Sequence, residues 1–174
     1  NFDIKQIEKN VQDDLKDKDI SKLIQEDENK KNEIMFIEGP PTMNGIPHAG
    51  HLRGRVFKDL WYRYNVLAGN KVIFNAGWDA QGLPVELQAE KELGNENGKS
   101  DIRSTEDIEK LVAECKEIVK KYHTKWVEVD KLIGMSLNQD KAYWTYKDEF
   151  IEKEWQLMKK AHENGIMTEG FRVV

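Results

Sequence analysis

The spacing of hydrophobic positions changes several times along the chain, and each change marks an element. Ile4, Ile7, Val11, Leu15, Ile20 and Leu23 stand near helical spacing in a heavily charged background. This predicts one or two short surface helices over residues 3–24, packed on the main body. Residues 25–33 (Gln-Glu-Asp-Glu-Asn-Lys-Lys-Asn-Glu) are almost wholly polar and read as a solvated connector. Ile34-Met-Phe-Ile37 is then a short β-favouring run, and it enters Glu38-Gly-Pro-Pro-Thr-Met-Asn-Gly-Ile-Pro47, whose glycines and prolines read as a tight loop. From His48-Ala-Gly-His51 a helical stripe begins, with Leu52, Val56, Leu60, Trp61, Tyr64 and Leu67 placed to pack against a sheet. Gly69 follows it, where a helix exit favours positive φ.

Lys71-Val-Ile-Phe-Asn-Ala76 is β-branched and aromatic, a second strand. Strand, helix and strand over 34–76 make a βαβ unit, which is parallel and right-handed in nearly all cases, so the fold class is α/β. The second strand ends in Gly77-Trp-Asp-Ala-Gln-Gly-Leu-Pro-Val-Glu86, a loop into a helix with Pro84 in its first turn and Gly94 at its exit. Ligands of open α/β sheets bind beyond the carboxyl ends of the strands, so both Gly/Pro-rich loops are expected to face one crevice. Residues 95–104 form a polar loop. Thr105 is placed to cap a long helix whose stripe (Ile108, Leu111, Val112, Cys115, Ile118, Val119, Tyr122, Trp126, Val129, Leu132, Ile133) runs to Gly134. Ala142–Tyr146 has strand character. A last helix over Asp148–Glu163 carries Ile151, Trp155, Met158 and Ala161, with Gly165 as its exit, and Gly170–Val174 starts like a strand.

Composition narrows the class. A chain of 174 residues has room for one domain with a sizeable core. With 39% hydrophobic and 34% charged residues it is a soluble globular composition rather than a disordered one. It contains neither an apolar run of about 18 residues nor a signal-peptide pattern, which predicts a cytoplasmic protein with no membrane contact. One cysteine, Cys115, excludes an internal disulfide framework and a multi-thiolate zinc site, and its place on the long stripe predicts a small buried hydrophobe. A net charge of −5 gives no general footprint for nucleic acid, so any RNA contact is local or lies outside these residues.

The junction at 34–51 carries the candidate chemistry. A helix N-terminus offers backbone N–H groups and partial positive charge to phosphates, and Gly39, Gly45 and Gly50 let a bulky ligand approach the backbone. His48 and His51 share one face of the first turn and can address one anion. Neither a Gly-x-Gly-x-x-Gly fingerprint nor a P-loop is present. The pair also admits other readings: a capping residue beside a satisfied, partly buried histidine, or half of a metal site. Against metal, the only other histidines, His123 and His162, lie in distant helices.

Pro41-Thr-Met-Asn-Gly-Ile-Pro-His48-Ala-Gly-His51 resembles the HIGH signature of class I aminoacyl-tRNA synthetases, with Ala49 in place of the isoleucine. Gly77–Glu86 is similar to the second strand loop of the subgroup that activates isoleucine, leucine or valine, and the Trp-rich helix from Asp148 and Glu169–Val174 are also similar to it. Within the subgroup Glu38–Pro41, Gly45–His48 and Gly82–Glu86 look most like the isoleucine enzymes. Gln81, where those commonly carry histidine, and Asp79-Ala80, which also suit the leucine enzymes, depart from that, so leucine is the alternative and valine comes third.

The resemblance implies the first half of a Rossmann-like nucleotide-binding domain with added N- and C-terminal helices. Residues 1–33 would be a helical extension and residues 34–174 the N-terminal half of the catalytic domain, ending where a connective insertion begins. It implies ATP with Mg2+, a branched-chain amino acid and a cognate tRNA as partners, the tRNA mostly through regions absent here. His48 and His51 would be catalytic and bind ATP together with Gly39, Pro41, Asn44, Gly45 and Gly50. Asp79 would receive the α-ammonium, with Pro40, Pro41, Trp78 and Gln81 around the amino acid. Trp78 either walls an aliphatic pocket or packs in the core, and Glu86 contacts substrate or orders its loop. Arg53, Arg55 and Lys58 read as a solvated helix face rather than a tRNA contact. A Lys-Met-Ser-Lys-Ser-type loop, a zinc insertion, an editing domain and an anticodon-binding bundle are not in these residues, which alone would lack full aminoacylation activity. A non-catalytic synthetase-like paralogue binding nucleotide, amino acid or RNA, and a nucleotidylyltransferase, are the competing readings.

Overall fold

The computed structural model describes residues 2–18, 20–26, 32–94 and 104–171. The elements follow in the order α1 (Ile4–Leu15), α2 (Ile20–Gln25), β1 (Asn32–Phe36), α3 (Ala49–Leu67), β2 (Asn70–Trp78), α4 (Leu83–Glu92), α5 (Thr105–Leu132), β3 (Asn138–Trp144) and α6 (Asp148–Glu163). The strands form one sheet in the order β1-β2-β3. The chain divides into two compact units, one of Asn1–Glu38, Pro47–Ala76 and Val127–Lys141, the other of Gly39–Ile46, Gly77–Trp126 and Ala142–Val174. Among the described residues no helix is long and apolar enough to cross a membrane.

In the first unit β1 and β2 pair in parallel, from Asn32 against Asn70 to Phe36 against Phe74, as the βαβ pattern predicts. The strand opens two residues before Ile34 because Asn32 and Glu33 find cross-strand polar partners. Asn32 donates to Asn70 at 3.3 Å and Glu33 pairs with Lys71 at 3.2 Å. Phe36, Tyr62 and Phe74 form an aromatic cluster, with Phe36 and Phe74 edge to face at 4.7 Å.

Helix α3 spans the predicted residues but buries a different face. Val56 is 53% exposed, Leu60 61% and Leu67 86%, while the buried residues are Arg55 and Tyr62. Of the stripe expected to meet the sheet, Trp61 does so, tilted against Phe36 at 5.1 Å, and the rest is largely open. The polar face is held instead by carboxylates, which apolar periodicity does not register. Helices α1 and α2 form as expected, but α1 buries no residue and its stripe stays exposed, so the predicted packing on the main body is absent. Its N-terminus is held by Asp3, whose carboxylate accepts from the Gln6 N–H at 3.2 Å.

In the second unit β2 runs on through Gly77 and Trp78, two residues expected in a loop. Gly77 is accommodated in a strand because the Tyr143 ring lies against it, and an added Cβ would meet Tyr143 Cζ at 2.4 Å. The core of this unit is Met43, Trp78, Val85, Ala89, Ile118 and Trp126. Helix α5 is capped one residue earlier than predicted: Ser104, not Thr105, exchanges hydrogen bonds with Asp107, at 3.2 and 3.0 Å. Cys115 is half-buried, and burial pushes its thiol pKa up.

Strand β3 starts at Asn138, four residues before the predicted run, and its polar opening residues leave no trace in the hydrophobic pattern. Helix α6 has the predicted limits but no fully buried residue: Ile151 and Ala161 of its stripe are half-buried, Trp155 and Met158 are exposed. The predicted helix exits Gly69, Gly94, Gly134 and Gly165 all carry positive φ. Gly170 and Phe171 are not in a strand. The rest of that closing run, most of the 25–33 connector and the 95–104 loop up to residue 103 lie outside the described residues.

Candidate functional site

The predicted site residues fall into two clusters, one in each unit. In the first, His48 holds the extended conformation (φ −113°, ψ 173°) of the N-cap of α3. Its Nδ1 accepts from the Gly50 N–H at 3.1 Å, and His51 Nδ1 accepts from the His48 N–H at 3.3 Å. The two bonds make a capping box, and the rings stack with centroids 3.7 Å apart. Gly50 permits it: a Cβ there would come 2.9 Å from His48 Cε1. Burial, then His48, then Arg55 lower the His51 pKa below its ordinary 6.5. An imidazole that accepts at Nδ1 carries its hydrogen at Nε2 when neutral. The capping reading is thus realised, each Nδ1 being held by a backbone N–H at the start of α3. Among the described residues no group of three or more His, Cys, Asp or Glu side chains is placed to hold a metal ion.

The second cluster surrounds Asp79. The loop from Gly39 to Ile46 lies beside it as a parallel bridge, Thr42 opposite Asp79. Asp79 N donates to Pro41 O at 3.1 Å and Met43 N donates to Asp79 O at 2.7 Å. The half-buried carboxylate accepts from Thr42 Oγ1 at 2.8 Å and, more loosely, from Thr145 Oγ1 at 3.4 Å. Thr145 is held in turn by Trp78 O, to which its N–H donates, and by the Ala80 N–H, which its hydroxyl accepts at 2.9 Å. Two hydroxyls orient this carboxylate without neutralising it. A carboxylate has about four acceptor positions, so it retains capacity for a cationic group.

The remaining predicted residues are spread around this frame. Gly45 O accepts from Trp126 Nε1 at 3.0 Å. Pro40 and Pro41 are half-buried, and Gly39 and Asn44 are exposed. Trp78 is fully buried, edge-on to His123 at 4.8 Å and tilted against Trp144 at 6.2 Å. Burial lowers the His123 pKa. Gln81 lines an open groove of about 530 Å³ with Ile151, Trp155 and Met158 of α6. Glu86 is exposed in the first turn of α4.

Sequence reasoning missed Thr42, Thr145 and the partners of Arg55. Arg55 was expected on a solvated face and is instead buried, forked onto Asp130. Lys58 is part-buried and pairs with Glu38, whereas Arg53 is exposed, over the Phe57 ring. A threonine in a Gly/Pro loop is a weak signal, and no short spacing links 55 to 130.

Comparison with known proteins bears on these clusters. A family profile for tRNA synthetases class I (I, L, M and V) matches residues 10–174. Isoleucine--tRNA ligase 2 of Bacillus cereus is 46% identical over 140 residues, 80% of this chain and 13% of the relative. The isoleucine--tRNA ligase of Clostridium novyi is 44% identical over 161 residues, 91% of this chain and 15% of the relative. That of Thermoplasma volcanium is 42% identical over 154 residues, 88% and 15% respectively. The chain spans 13–15% of the length of these relatives. Among solved structures, the ternary complex of Agrobacterium radiobacter K84 agnB2 LeuRS with tRNA and LeuAMS is similar with a TM-score of 0.62. It is 18% identical, over 95% of this chain and 18% of that one, a likeness of fold.

Proposed function

Because the chain belongs to the class I tRNA synthetases of the I, L, M and V group, we propose that it is the ATP- and amino-acid-binding part of a cytoplasmic isoleucine--tRNA ligase. In this reading the full-length parent joins isoleucine to ATP as an aminoacyl-adenylate and passes it to tRNA(Ile). Residues 1–33 are an N-terminal extension, and residues 34–174 are the first half of the catalytic domain. The identity to isoleucine ligases over most of the chain favours isoleucine over leucine.

The observation that carries the proposal is the pair of Nδ1-anchored imidazoles at the N-terminus of α3. When a carboxylate attacks the α-phosphate of ATP and pyrophosphate leaves, negative charge grows on the phosphate oxygens. Two Nε2–H donors held before the reaction, at the positive end of a helix, stabilise that charge without reorganising. Gly39, Pro41, Asn44, Gly45 and Gly50 provide close backbone approach to the nucleotide. Asp79 takes the α-ammonium through charge-assisted hydrogen bonds, oriented by Thr42 and Thr145. Pro40, Pro41, Trp78 and Gln81 shape the amino-acid side. Mg2+ accompanies the ATP phosphates. The described residues offer it no three-ligand group of their own.

Amino-acid-dependent ATP–pyrophosphate exchange by the full-length parent, with isoleucine, leucine and valine in turn, tests the proposal. Isoleucine is expected to support exchange best, and His48→Ala or His51→Ala to lower it by about 10²–10³. Exchange with leucine alone would overturn the specificity. Absence of exchange with all three would favour a non-catalytic paralogue.

A further inference from the structure

A buried charge network joins the exit of β1 to the helix that carries the histidines. Arg55, one turn past His51 on α3, forks onto Asp130 near the end of α5, Nε to Oδ1 at 2.6 Å and Nη2 to Oδ2 at 2.7 Å. Its Nη1 stands 3.7 Å from Oε1 of Glu38, the residue that opens the Gly-Pro-Pro loop. Lys58, about one turn further along α3, pairs with the same oxygen. The side chains of Arg55, Asp130 and Glu38 are 4%, 3% and 0% exposed. Two acids and two bases balance. Burial pushes the Asp130 carboxyl above its ordinary range, and the Arg55 fork opposes that shift.

As a source of stability such a network is a poor choice, because desolvation of buried ions offsets most of the Coulomb gain and a packed hydrophobic set often does as well. What it supplies is direction. A planar guanidinium forked onto one carboxylate and flanked by another accepts essentially one orientation. It therefore fixes the rotation of α3 about its axis and its position along that axis. His51 lies four residues before Arg55, hence on the same side of the helix. The rotation that seats the guanidinium also sets where the imidazoles stand. The rest of the seat of α3 is aromatic, Trp61 against Phe36 at 5.1 Å and Tyr62 against Phe74 at 5.5 Å, while Val56, Leu60 and Leu67 are exposed; such apolar contacts are non-directional beside the fork.

We propose that Arg55 and Asp130 are positioning residues, holding the first turn of α3 so that His48 and His51 meet the ATP phosphates. The proposal rests on the histidine roles given above. It is tested in the full-length parent by Asp130→Asn and Arg55→Lys, with isoleucine-dependent exchange measured against both ATP and isoleucine. Val72→Ala, a cavity in the fully buried core of the same unit, serves as the stability control.

Misplacement of the imidazoles by about an ångström is expected to cost about 10² in kcat. KM for isoleucine should stay within about twofold, since uniform substrate binding is untouched. Val72→Ala should lower the melting temperature and keep its rate. Arg55→Lys keeps the charge and loses the fork, so it should be impaired even if Asp130→Asn fails to fold. Wild-type kcat in Arg55→Lys, or equal rate loss in Val72→Ala at a matched melting temperature, would overturn the proposal. The two readings fail separately. Full exchange by the histidine variants sinks the site itself, whereas loss in those variants with none in Asp130→Asn or Arg55→Lys sinks only the positioning role.

Discussion

Gly50→Ala separates the two jobs assigned to the histidine turn. The added methyl would stand 2.9 Å from His48 Cε1 and 3.1 Å from His48 Nδ1, well inside ordinary contact. The backbone at the start of a helix has little room to give, so the exposed imidazole must swing away and surrender its bond from the Gly50 N–H. Losing an N-cap costs about 0.5–2 kcal/mol. Replacing glycine by alanine inside a helix returns up to about 1 kcal/mol. The two nearly cancel, so stability should change by about 1 kcal/mol or less. Displacing one donor of a preorganised pair costs about 10²–10³ in rate, roughly 3–4 kcal/mol.

The assay is thermal unfolding beside isoleucine-dependent ATP–pyrophosphate exchange in the full-length parent. Gly54→Ala, on the same helix with nothing within 4 Å of its Cβ, is the control and should hold its rate. If Gly50→Ala acts through the ring of His48, the double variant with His48→Ala is no slower than His48→Ala alone. Full exchange by Gly50→Ala, or losses that add in the double variant, would refute the reasoning.

Two further predictions follow from the same geometry. Gly77→Ala drives a methyl into Tyr143, whose ring is stacked on Phe150 at 5.6 Å and has little room to retreat. It should destabilise by about 1–3 kcal/mol in urea unfolding, and an unchanged midpoint would count against that close contact. His51 and His123 both have folded pKa values lowered from the ordinary 6.5, mainly by burial. Their contribution to stability is therefore full above the unfolded value and is lost as pH falls through it toward the folded values. Urea midpoints at pH 7.5 and 5.5 should drop in the wild type and drop less in a His51→Gln/His123→Gln variant; equal drops would refute the assignment.

The parts of the fold that were legible in the sequence are those where one local rule decides. Helix α6 begins and ends where Asp148 and Gly165 place it, and β1 with β2 could be read as parallel because a helix separates them. Burial was legible only where apolar side chains do the packing. Most of the stripe of α3 satisfies helical periodicity and is nonetheless open, because that helix is seated by Arg55 on Asp130, Lys58 on Glu38 and the aromatic contacts of Trp61 and Tyr62. Charged residues on a helix resemble solvent-facing ones in any hydrophobic pattern, and their partners lie as far as 75 residues away. The early start of β3 was hidden for a related reason. Its opening residues, Asn138 to Lys141, are polar, and Lys141 N donates to the Asn138 side chain at 3.1 Å.

The site divides along the same line. The place of Asp79 just beyond β2 was legible, because it follows a β-branched and aromatic run and precedes Gly82. Its two hydroxyl donors were not, since Thr42 and Thr145 stand 37 and 66 residues from it. For the histidines, the sequence set capping against phosphate binding as rivals. The opposition came from counting residues rather than nitrogens. Each imidazole has two, and the geometry commits Nδ1 to the backbone in both rings. A capping bond at Nδ1 fixes the tautomer and immobilises the ring, which is the preparation a phosphate donor at Nε2 requires. On this reading the helix cap is the device that holds the proposed catalytic pair in place, so a change that spares the cap and removes the hydrogen at one Nε2 should lower exchange by about 10²–10³ while leaving α3 intact.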